Sequence, residues 1–256
     1  MSWCNVSGEP RVVHLAGAAM TRLVSAIPLV AEATGSPVIV VGGLSVMCRL
    51  GTPYRTTTDL DTVDVQTASS RPHLELLLTG GTQSGPSGAL LPTPLGLVQV
   101  DVLPVSQADR DPLPDDATDR LHVQAHLWAA ETATDLTLAV PEADPVTVAV
   151  AEPGPIIAMK LQAIMNRGAA KEGTDLLDIL RLTLDTECGP LARDQLEHAG
   201  GQLRADALLH AERWFLEHAA RSLRKIRDVP EGRNVEADEV ELVGDLLTGA
   251  LRLSSG

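Results

Sequence analysis

The chain has 256 residues, 44% of them hydrophobic, which is enough for one large or two modest domains with a buried core and argues against intrinsic disorder. Its net charge of −14 argues against a protein that coats nucleic acid, and its three cysteines, with no Cys-x-x-Cys pair, argue against a disulfide framework or a zinc knuckle. The sequence opens without the pattern of a secretion signal and has no run of 18 apolar residues, so we expect a cytoplasmic protein that does not span a membrane.

The first 150 residues alternate between helical and extended patterns. Apolar residues recur at helical spacing over 12–33, and a β-branched run then predicts a short buried strand over 38–41. Further along, the patterns predict helices over 44–50, 72–79 and 121–131, strands over 60–65, 97–103, 136–140 and 146–150, and connections over 80–94 and 109–119. This part of the chain therefore predicts a sheet with helices around it.

From residue 153 onward the patterns are helical almost throughout. Apolar stripes predict helices over 155–166, 174–184, 191–217 and 237–251. We therefore place a domain boundary near residue 151, with a sheet-containing core over 1–150 and a helical domain over 151–256. The predicted fold class is α/β, in the α+β sense, with a mixed sheet core and a helical C-terminal half.

Four aspartates lie on or directly before two of the predicted strands. Because side chains alternate along a strand, Asp59 and Asp61 share one face and Asp64 lies on the other. Asp101 lies alone in an apolar alternating strand and completes a three-carboxylate cluster if the two strands are neighbours. Carboxylates held together repel one another unless a cation neutralises them, and hard oxygen ligands suit Mg²⁺ or Mn²⁺. The pattern predicts a metal site for in-line attack at phosphorus.

A glycine pair precedes these aspartates. Gly42 and Gly43 let the backbone approach a ligand closely, and the helix that follows presents free N–H groups to a phosphate. Each feature also has a simpler explanation. The glycine pair can be only a tight turn, the Asp-x-Asp can be surface or capping residues, and Asp101 can pair with Arg55 or Arg49. The order of these elements is what favours phosphoryl chemistry.

A later helical segment carries several cations. Lys160, Ile164, Arg167 and Lys171 lie at i, i+4, i+7 and i+11, so they share one side of a helix if it continues that far. In this interpretation Lys160 holds a triphosphate and Arg167 adds phosphate contacts. The alternative is a solvated helix face on which Lys171 pairs with Asp175.

Two blocks of the sequence resemble the nucleotidyltransferase AbiEii/AbiGii toxin family, within the polymerase-β-like nucleotidyltransferase superfamily. The first block consists of Val41-Gly42-Gly43, the segment Arg-Thr-Thr-Thr-Asp-Leu-Asp over 55–61, and Asp101. The second is the segment 158–176, with an early Lys, a central Arg and a late Asp. The resemblance covers about residues 35–185.

The resemblance implies transfer of a nucleoside monophosphate from an NTP to an acceptor hydroxyl, with Mg²⁺ or Mn²⁺ as the cofactor. It further implies tRNA as the acceptor and a toxin role beside a cognate antitoxin protein. The residues that take part are expected to be catalytic Asp59, Asp61, Asp101 and Lys160, of which the three aspartates hold metal, and nucleotide-binding Gly42, Gly43, Ser45, Arg167 and Asp175. Other hypotheses are an antibiotic or protein nucleotidyltransferase and a catalytically silent protein that binds a nucleotide or a partner.

The sequence departs from the family pattern at two places. Gly43 stands where many superfamily members have serine, which makes Ser45 the candidate for that phosphate contact. Glu172-Gly173 stands where an Arg/Lys-Asp pair is usual, so Glu172 or Asp175 is the candidate for the family's acid. Gly173 is also expected to weaken its helix by about 1 kcal/mol relative to alanine.

One stretch reverses the charge of the chain. Residues 204–233 contain seven Lys or Arg against five Asp or Glu, a local charge of +2. Its candidate RNA contacts are Arg221, Arg224, Lys225 and Arg227, with Trp214 available for stacking on a base. The alternative is an amphipathic helix whose arginines are only solvated and whose apolar residues pack inward, namely Leu208, Leu209, Phe215 and Leu223.

Overall fold

The computed structural model of the protein describes residues 10–166 and 169–252. The chain divides into two compact units. The first contains the chain up to Cys48, Thr56–Gln107 and Ala130–Ala151, and the second contains Arg49–Arg55, Ala108–Ala129 and the chain from Glu152 onward. The architecture is a mixed sheet followed by a helical C-terminal half, which confirms the predicted fold class. None of the helices in the described ranges is long and apolar enough to cross a membrane.

The first unit is built on an eight-stranded sheet with the order β1-β7-β8-β2-β3-β6-β5-β4. The strands are β1 (Arg11–His14), β2 (Ile39–Val41), β3 (Asp59–Gln66), β4 (Thr82–Gln83), β5 (Gly88–Thr93), β6 (Gly96–Ser106), β7 (Thr134–Ala139) and β8 (Val146–Val150). The pairs β1/β7, β2/β8 and β3/β6 are parallel, and the other neighbours are antiparallel. The mixed sheet places β2, β3 and β6 side by side at its centre.

Two parts of the sheet differ from the prediction. The residues Arg11–His14 form a strand and not the start of a helix, because they pair with β7 and Gly17 then adopts a φ of 95° that a helix does not permit. The predicted connection over 80–94 contains β4 and β5, which pair with each other and with β6. The glycines and prolines of that segment concealed its strands, since both residue types are depleted in strands.

The helices that precede residue 151 are α1 (Ala18–Thr34), α2 (Gly42–Arg49), α3 (His73–Leu77) and α4 (Ala117–Thr132), and a short 3₁₀ segment covers Gln107–Arg110. Helix α2 begins at Gly42, two residues before the predicted start, directly after β2. The centre of the first unit is aliphatic and buried from solvent. Val40, Leu60 and Val100, on the three central strands, have no exposed surface. This packing fixes the strands that carry the aspartates.

The helices of the second unit after residue 151 are α5 (Pro153–Asn166), α6 (Ala169–Leu184), α7 (Cys188–Glu197), α8 (Gly201–Glu212), α9 (Ala219–Asp228) and α10 (Ala237–Leu251). A π-helical turn over Arg213–Glu217 follows α8, and a 3₁₀ turn covers Pro230–Gly232. The helix predicted over 191–217 is interrupted after Glu197, where residues 198–200 separate α7 from α8 and Gly200 precedes the first residue of α8. Helix α10 has the predicted bounds, and Glu236 and Glu239 form a capping box at its start.

The predicted helix over 174–184 placed Gly173 just before a helix. In the structure Gly173 lies inside α6. A Cβ atom at this position would lie 2.2 Å from the main-chain oxygen of Lys225 on α9. The glycine therefore permits a close approach of two helices, which compensates for its poor helix propensity.

Candidate metal and nucleotide site

The three aspartates meet on one face of the sheet. Asp59 and Asp61 lie on β3 and Asp101 lies on β6, which runs parallel to β3 with Asp61 directly opposite Asp101. Each of the three side chains offers a carboxylate oxygen, and these oxygens lie within 4.8 Å of one another. The prediction that the two strands are neighbours is confirmed. Asp61 is buried, whereas Asp59 and Asp101 are half-buried, so the cluster is partly accessible to solvent.

Asp64 confirms the alternation on which the cluster was predicted. Its carboxylate lies on the opposite face, where it accepts hydrogen bonds from the main-chain N–H of His73 at 2.9 Å and from Nε2 of Gln66 at 3.0 Å. Asp64 therefore anchors the start of α3. Four aspartates in two strands thus divide between two tasks according to the face on which they lie.

The glycine pair approaches the cluster itself. Val41 pairs with Asp61, and the chain then turns at Gly42 with a φ of 64°. A Cβ atom on Gly42 would lie 1.9 Å from Oδ2 of Asp61, and the N–H of Gly43 points to the same oxygen at 3.4 Å. Both the positive φ and the close approach require glycine at position 42. Ser45 is fully buried, and its hydroxyl donates to the main-chain oxygen of Gly42 at 2.8 Å.

Three further residues at the cluster were missed by sequence reasoning. The hydroxyl of Thr57 donates to Oδ1 of Asp59 at 2.8 Å, and Nε2 of Gln99 donates to Oδ1 of Asp101 at 2.6 Å. Gly88 on β5 lies opposite Asp101. Thr57 and Gln99 each precede their aspartate by two residues, a spacing that the strand period could have revealed. No local signal marked Gly88, because β5 itself was missed.

Lys160 and Asp175 lie in the second unit, in a buried ion network. The ammonium of Lys160, which is only 6% exposed, contacts Oδ1 of Asp175 and Oδ2 of Asp178 at 2.7 Å each. Burial alone would lower the pKa of Lys160, but the charges of Asp175 and Asp178 raise the pKa above its usual value. The alternative of a solvated face is therefore wrong for Lys160. Arg167 lies outside the described residues.

Asp178 is the centre of this network. Arg55 binds it through Nε at 3.0 Å and Nη2 at 2.7 Å, and the hydroxyl of Tyr54 donates to the same carboxylate. Burial acts to raise the pKa of Asp178, but Lys160 and Arg55 lower the pKa below its usual value. Burial, followed by the charge of Asp178, raises the pKa of Tyr54.

The two arginines named as alternative partners of Asp101, Arg55 and Arg49, form ion pairs with other carboxylates. Arg55 binds Asp178, and Arg49 forms an ion pair with Glu152 at 3.1 Å. Both of these pairs lie within the second unit. Each guanidinium is thus held by a buried carboxylate of its own unit, a partner that the sequence pattern did not indicate.

Glu172 joins α6 to α9. It is 5% exposed and lies 2.8 Å from Nη2 of Arg221 and 3.7 Å from Nζ of Lys225. Arg227 forms an ion pair with Glu236 at 3.0 Å, and Arg224 is exposed. Two of the four predicted RNA contacts therefore also hold a buried carboxylate.

The aromatic and apolar residues of this stretch are only partly as predicted. Trp214 is 3% exposed, so its predicted availability for base stacking is wrong. The indole packs into the core between helices, with Arg213 and Arg221 over its ring. Phe215 packs inward as expected, but Leu209 is 55% exposed.

Comparisons with known proteins leave the function to be inferred from the site. No protein-family model matches the chain, and no curated protein matches it. Among solved structures, the chain matches that of an antigenic nucleotidyltransferase-like protein from Paracoccidioides brasiliensis, with 20% sequence identity, a TM-score of 0.47, and coverage of 82% of this chain and 94% of that chain. At this level of similarity, neither the family nor the activity of this chain can be inferred from that protein.

Proposed function

We propose that the protein is a metal-dependent nucleotidyltransferase, which transfers a nucleoside monophosphate from an NTP to a hydroxyl group and releases pyrophosphate. The observation that carries the proposal is the convergence of Asp59, Asp61 and Asp101 within 4.8 Å, beside a glycine turn that contacts one of them. Three carboxylates so close together repel one another, and a divalent cation bound between them would offset that repulsion.

The donor set fits Mg²⁺ or Mn²⁺. Both ions prefer hard oxygen ligands, and the cluster offers oxygens from three carboxylates, two of which are half-buried. A divalent cation held there would neutralise phosphate charge and favour in-line displacement at phosphorus. Asp59, Asp61 and Asp101 would hold the cation, and Asp101 would also help the cation to activate the attacking hydroxyl.

The turn at the start of α2 suits a phosphate. Gly42 and Gly43 form the N-terminus of an eight-residue helix, the end of a helix that favours an anion, and the N–H of Gly43 points to the carboxylate of Asp61. Ser45 supports this turn through its bond to the oxygen of Gly42. We therefore propose that these residues bind the NTP phosphates, with Ser45 acting on the shape of the turn.

The other nucleotide contacts are proposed on the family resemblance. Lys160 would hold the triphosphate, and Arg167 and Asp175 would complete its contacts. An ammonium has three donors, of which Asp175 and Asp178 take two in the buried network. The acid of the family motif is then Asp175, because Glu172 binds Arg221 and Lys225.

The acceptor and the biological role are also proposed on the resemblance. A tRNA acceptor and a toxin that is neutralised by a cognate antitoxin would fit the AbiEii/AbiGii pattern. The exposed Arg224, with Arg221, Lys225 and Arg227 on the same helix, supplies a basic surface for an RNA backbone.

The experiment that tests the proposed function is incubation with each α-labelled NTP, Mg²⁺ or Mn²⁺, and total tRNA. We expect label in tRNA with the wild type and none with Asp59→Asn or Asp61→Asn. Asp135→Asn, an exposed aspartate on β7, is the matched control and should label as the wild type does. Label on a small molecule or a protein would contradict the tRNA acceptor, and absence of turnover with every acceptor would contradict the transferase.

A further inference from the structure

Gln99 lies in the same row of side chains as the acidic cluster. It is two residues before Asp101 on β6 and directly opposite Asp59 in the parallel register of β3. Its Nε2 donates to Oδ1 of Asp101 at 2.6 Å, a short distance for an amide donor. A neutral donor thus holds one member of a group of like charges.

The neighbouring strand leaves space for this hydrogen bond. A Cβ atom on Gly88 would lie 2.2 Å from Nε2 of Gln99 and 2.6 Å from Oδ1 of Asp101. It would also lie 2.5 Å from the main-chain oxygen of Ser84, so a side chain could not move aside without moving the backbone. The pair of Gln99 and Asp101 therefore occupies the surface that a side chain at position 88 would otherwise cover.

We propose that Gln99 is a positioning residue that fixes the carboxylate of Asp101 for a divalent cation, with Gly88 as the surface against which the pair lies. This inference rests on the proposed function and names a residue that sets the metal affinity of the same site. A carboxylate has about four lone-pair positions, so one hydrogen bond from an amide leaves the others for the cation. Fixing the rotamer before the cation binds reduces the entropy that binding costs.

A second Gln–Asp hydrogen bond in the sheet serves as a control. Its loss would reveal a general effect on the sheet, as distinct from an effect on the metal site. Gln66 on β3 donates through Nε2 to Oδ2 of Asp64 at 3.0 Å, again two residues apart on one strand. Gln66 and Gln99 are both half-buried. The pair of Gln66 and Asp64 lies on the opposite face of the sheet, away from the cluster, so its loss should leave metal binding unchanged.

The test is titration of the full chain with Mn²⁺ alone, followed by the electron paramagnetic resonance signal of the free ion. Methionine has nearly the volume of glutamine and no donor. We expect Gln99→Met to raise the Kd for Mn²⁺ roughly tenfold or more, the range seen when residues that orient metal ligands are replaced. Gln66→Met should stay within about twofold of the wild type. Thermal melting in EDTA verifies that each variant is folded.

The outcomes distinguish this inference from the proposed function. If Gln99→Met and the wild type bind Mn²⁺ with equal affinity, Gln99 is not a positioning residue, and the proposed nucleotidyltransferase function is unaffected. A wild type that binds no Mn²⁺ overturns both. If Gln99→Met does not fold, Gln99→Ala replaces it, because a smaller side chain at a half-buried site introduces no clash. Excess Mn²⁺ should restore nucleotidyl transfer in either Gln99 variant but not in Asp101→Asn.

Discussion

The two groups of neighbouring aspartates in this protein differ in the partners that are described for them. On the sheet, Asp59, Asp61 and Asp101 face one another, and their described donors include a hydroxyl, a main-chain N–H and an amide. In the helical unit, Asp175 and Asp178 face the cations Lys160 and Arg55. The helical network contains its own cations, and the carboxylates of the sheet cluster could hold a divalent cation.

The comparison predicts that the network supports the fold and the cluster supports the activity. A buried ion pair that loses one partner leaves an uncompensated charge, which typically costs about 3–5 kcal/mol. A half-exposed cluster that loses one carboxylate instead loses repulsion. Three predictions test this contrast and a fourth, at Gly173, tests the packing of the helical unit; they run from the largest expected effect to the smallest.

Asp178→Ala should lower the free energy of unfolding by about 3–5 kcal/mol, because it leaves Lys160 and Arg55 without their shared carboxylate. Urea denaturation measures the effect in the absence of nucleotide and metal. Asp135→Ala, at an exposed strand position, is the control and should change stability by less than about 0.5 kcal/mol. A loss below about 1 kcal/mol for Asp178→Ala would show that the network does not hold the helices together.

Asp61→Asn should abolish both nucleotidyl transfer and the stabilisation of the protein by Mg²⁺. A ligand at 100 times its Kd stabilises the folded state by about 2.7 kcal/mol, so the wild type should melt at a higher temperature with saturating Mg²⁺ than with EDTA. In EDTA the variant should melt no lower than the wild type, because a repelling charge has been removed. A variant that unfolds in EDTA would instead assign Asp61 a structural role.

Gly173→Ala should destabilise the protein by roughly 1–3 kcal/mol, since the new methyl group would press against the main-chain oxygen of Lys225. Gly249 is a matched control, because it also lies in a helix but has open space where a methyl group would be added. Gly249→Ala should stabilise by up to about 1 kcal/mol. The same sign in both variants would contradict the close packing of α6 against α9.

The pH dependence of stability should report the charge state of Asp178. Its pKa in the folded protein is lowered from 3.8, so its stabilising contribution is present above that value and is lost as the pH falls below it. Urea denaturation between pH 5 and pH 2 should therefore show a smaller slope for Asp178→Asn than for the wild type. Identical slopes would indicate that Asp178 titrates in the folded state as it does in the unfolded chain.

The sequence could predict the acidic cluster because the face on which each aspartate lies follows from the alternation of side chains along its own strand. Alternation along β3 assigns Asp59 and Asp61 to one face and Asp64 to the other, and the apolar strand around Asp101 marks the third carboxylate. Alternation alone does not show that β3 and β6 are neighbours. That part of the prediction came from the order of the motifs along the chain. Gln99 could have been found by the same period of two.

The helical network could not be predicted because its partners are distant in sequence. Arg55 and Asp178 are separated by 123 residues, and Tyr54 and Asp178 by 124. Helical periodicity identifies the buried side of α6 but not which arginine meets it. The bond between Glu172 and Arg221 is of the same kind, since it depends on the packing of α9 and not on a motif.

The position of the label transferred from NTP tests the central claim most directly. Attack at the α-phosphorus leaves the α-label on the acceptor and releases the γ-label as pyrophosphate, and this chemistry requires the carboxylates of Asp59 and Asp61. We predict acceptor labelling from α-labelled NTP alone, lost in Asp61→Asn and retained in Asp135→Asn. Labelling from γ-labelled NTP, or transfer that persists in Asp61→Asn, would contradict the assignment of the acidic cluster as a nucleotidyltransferase site.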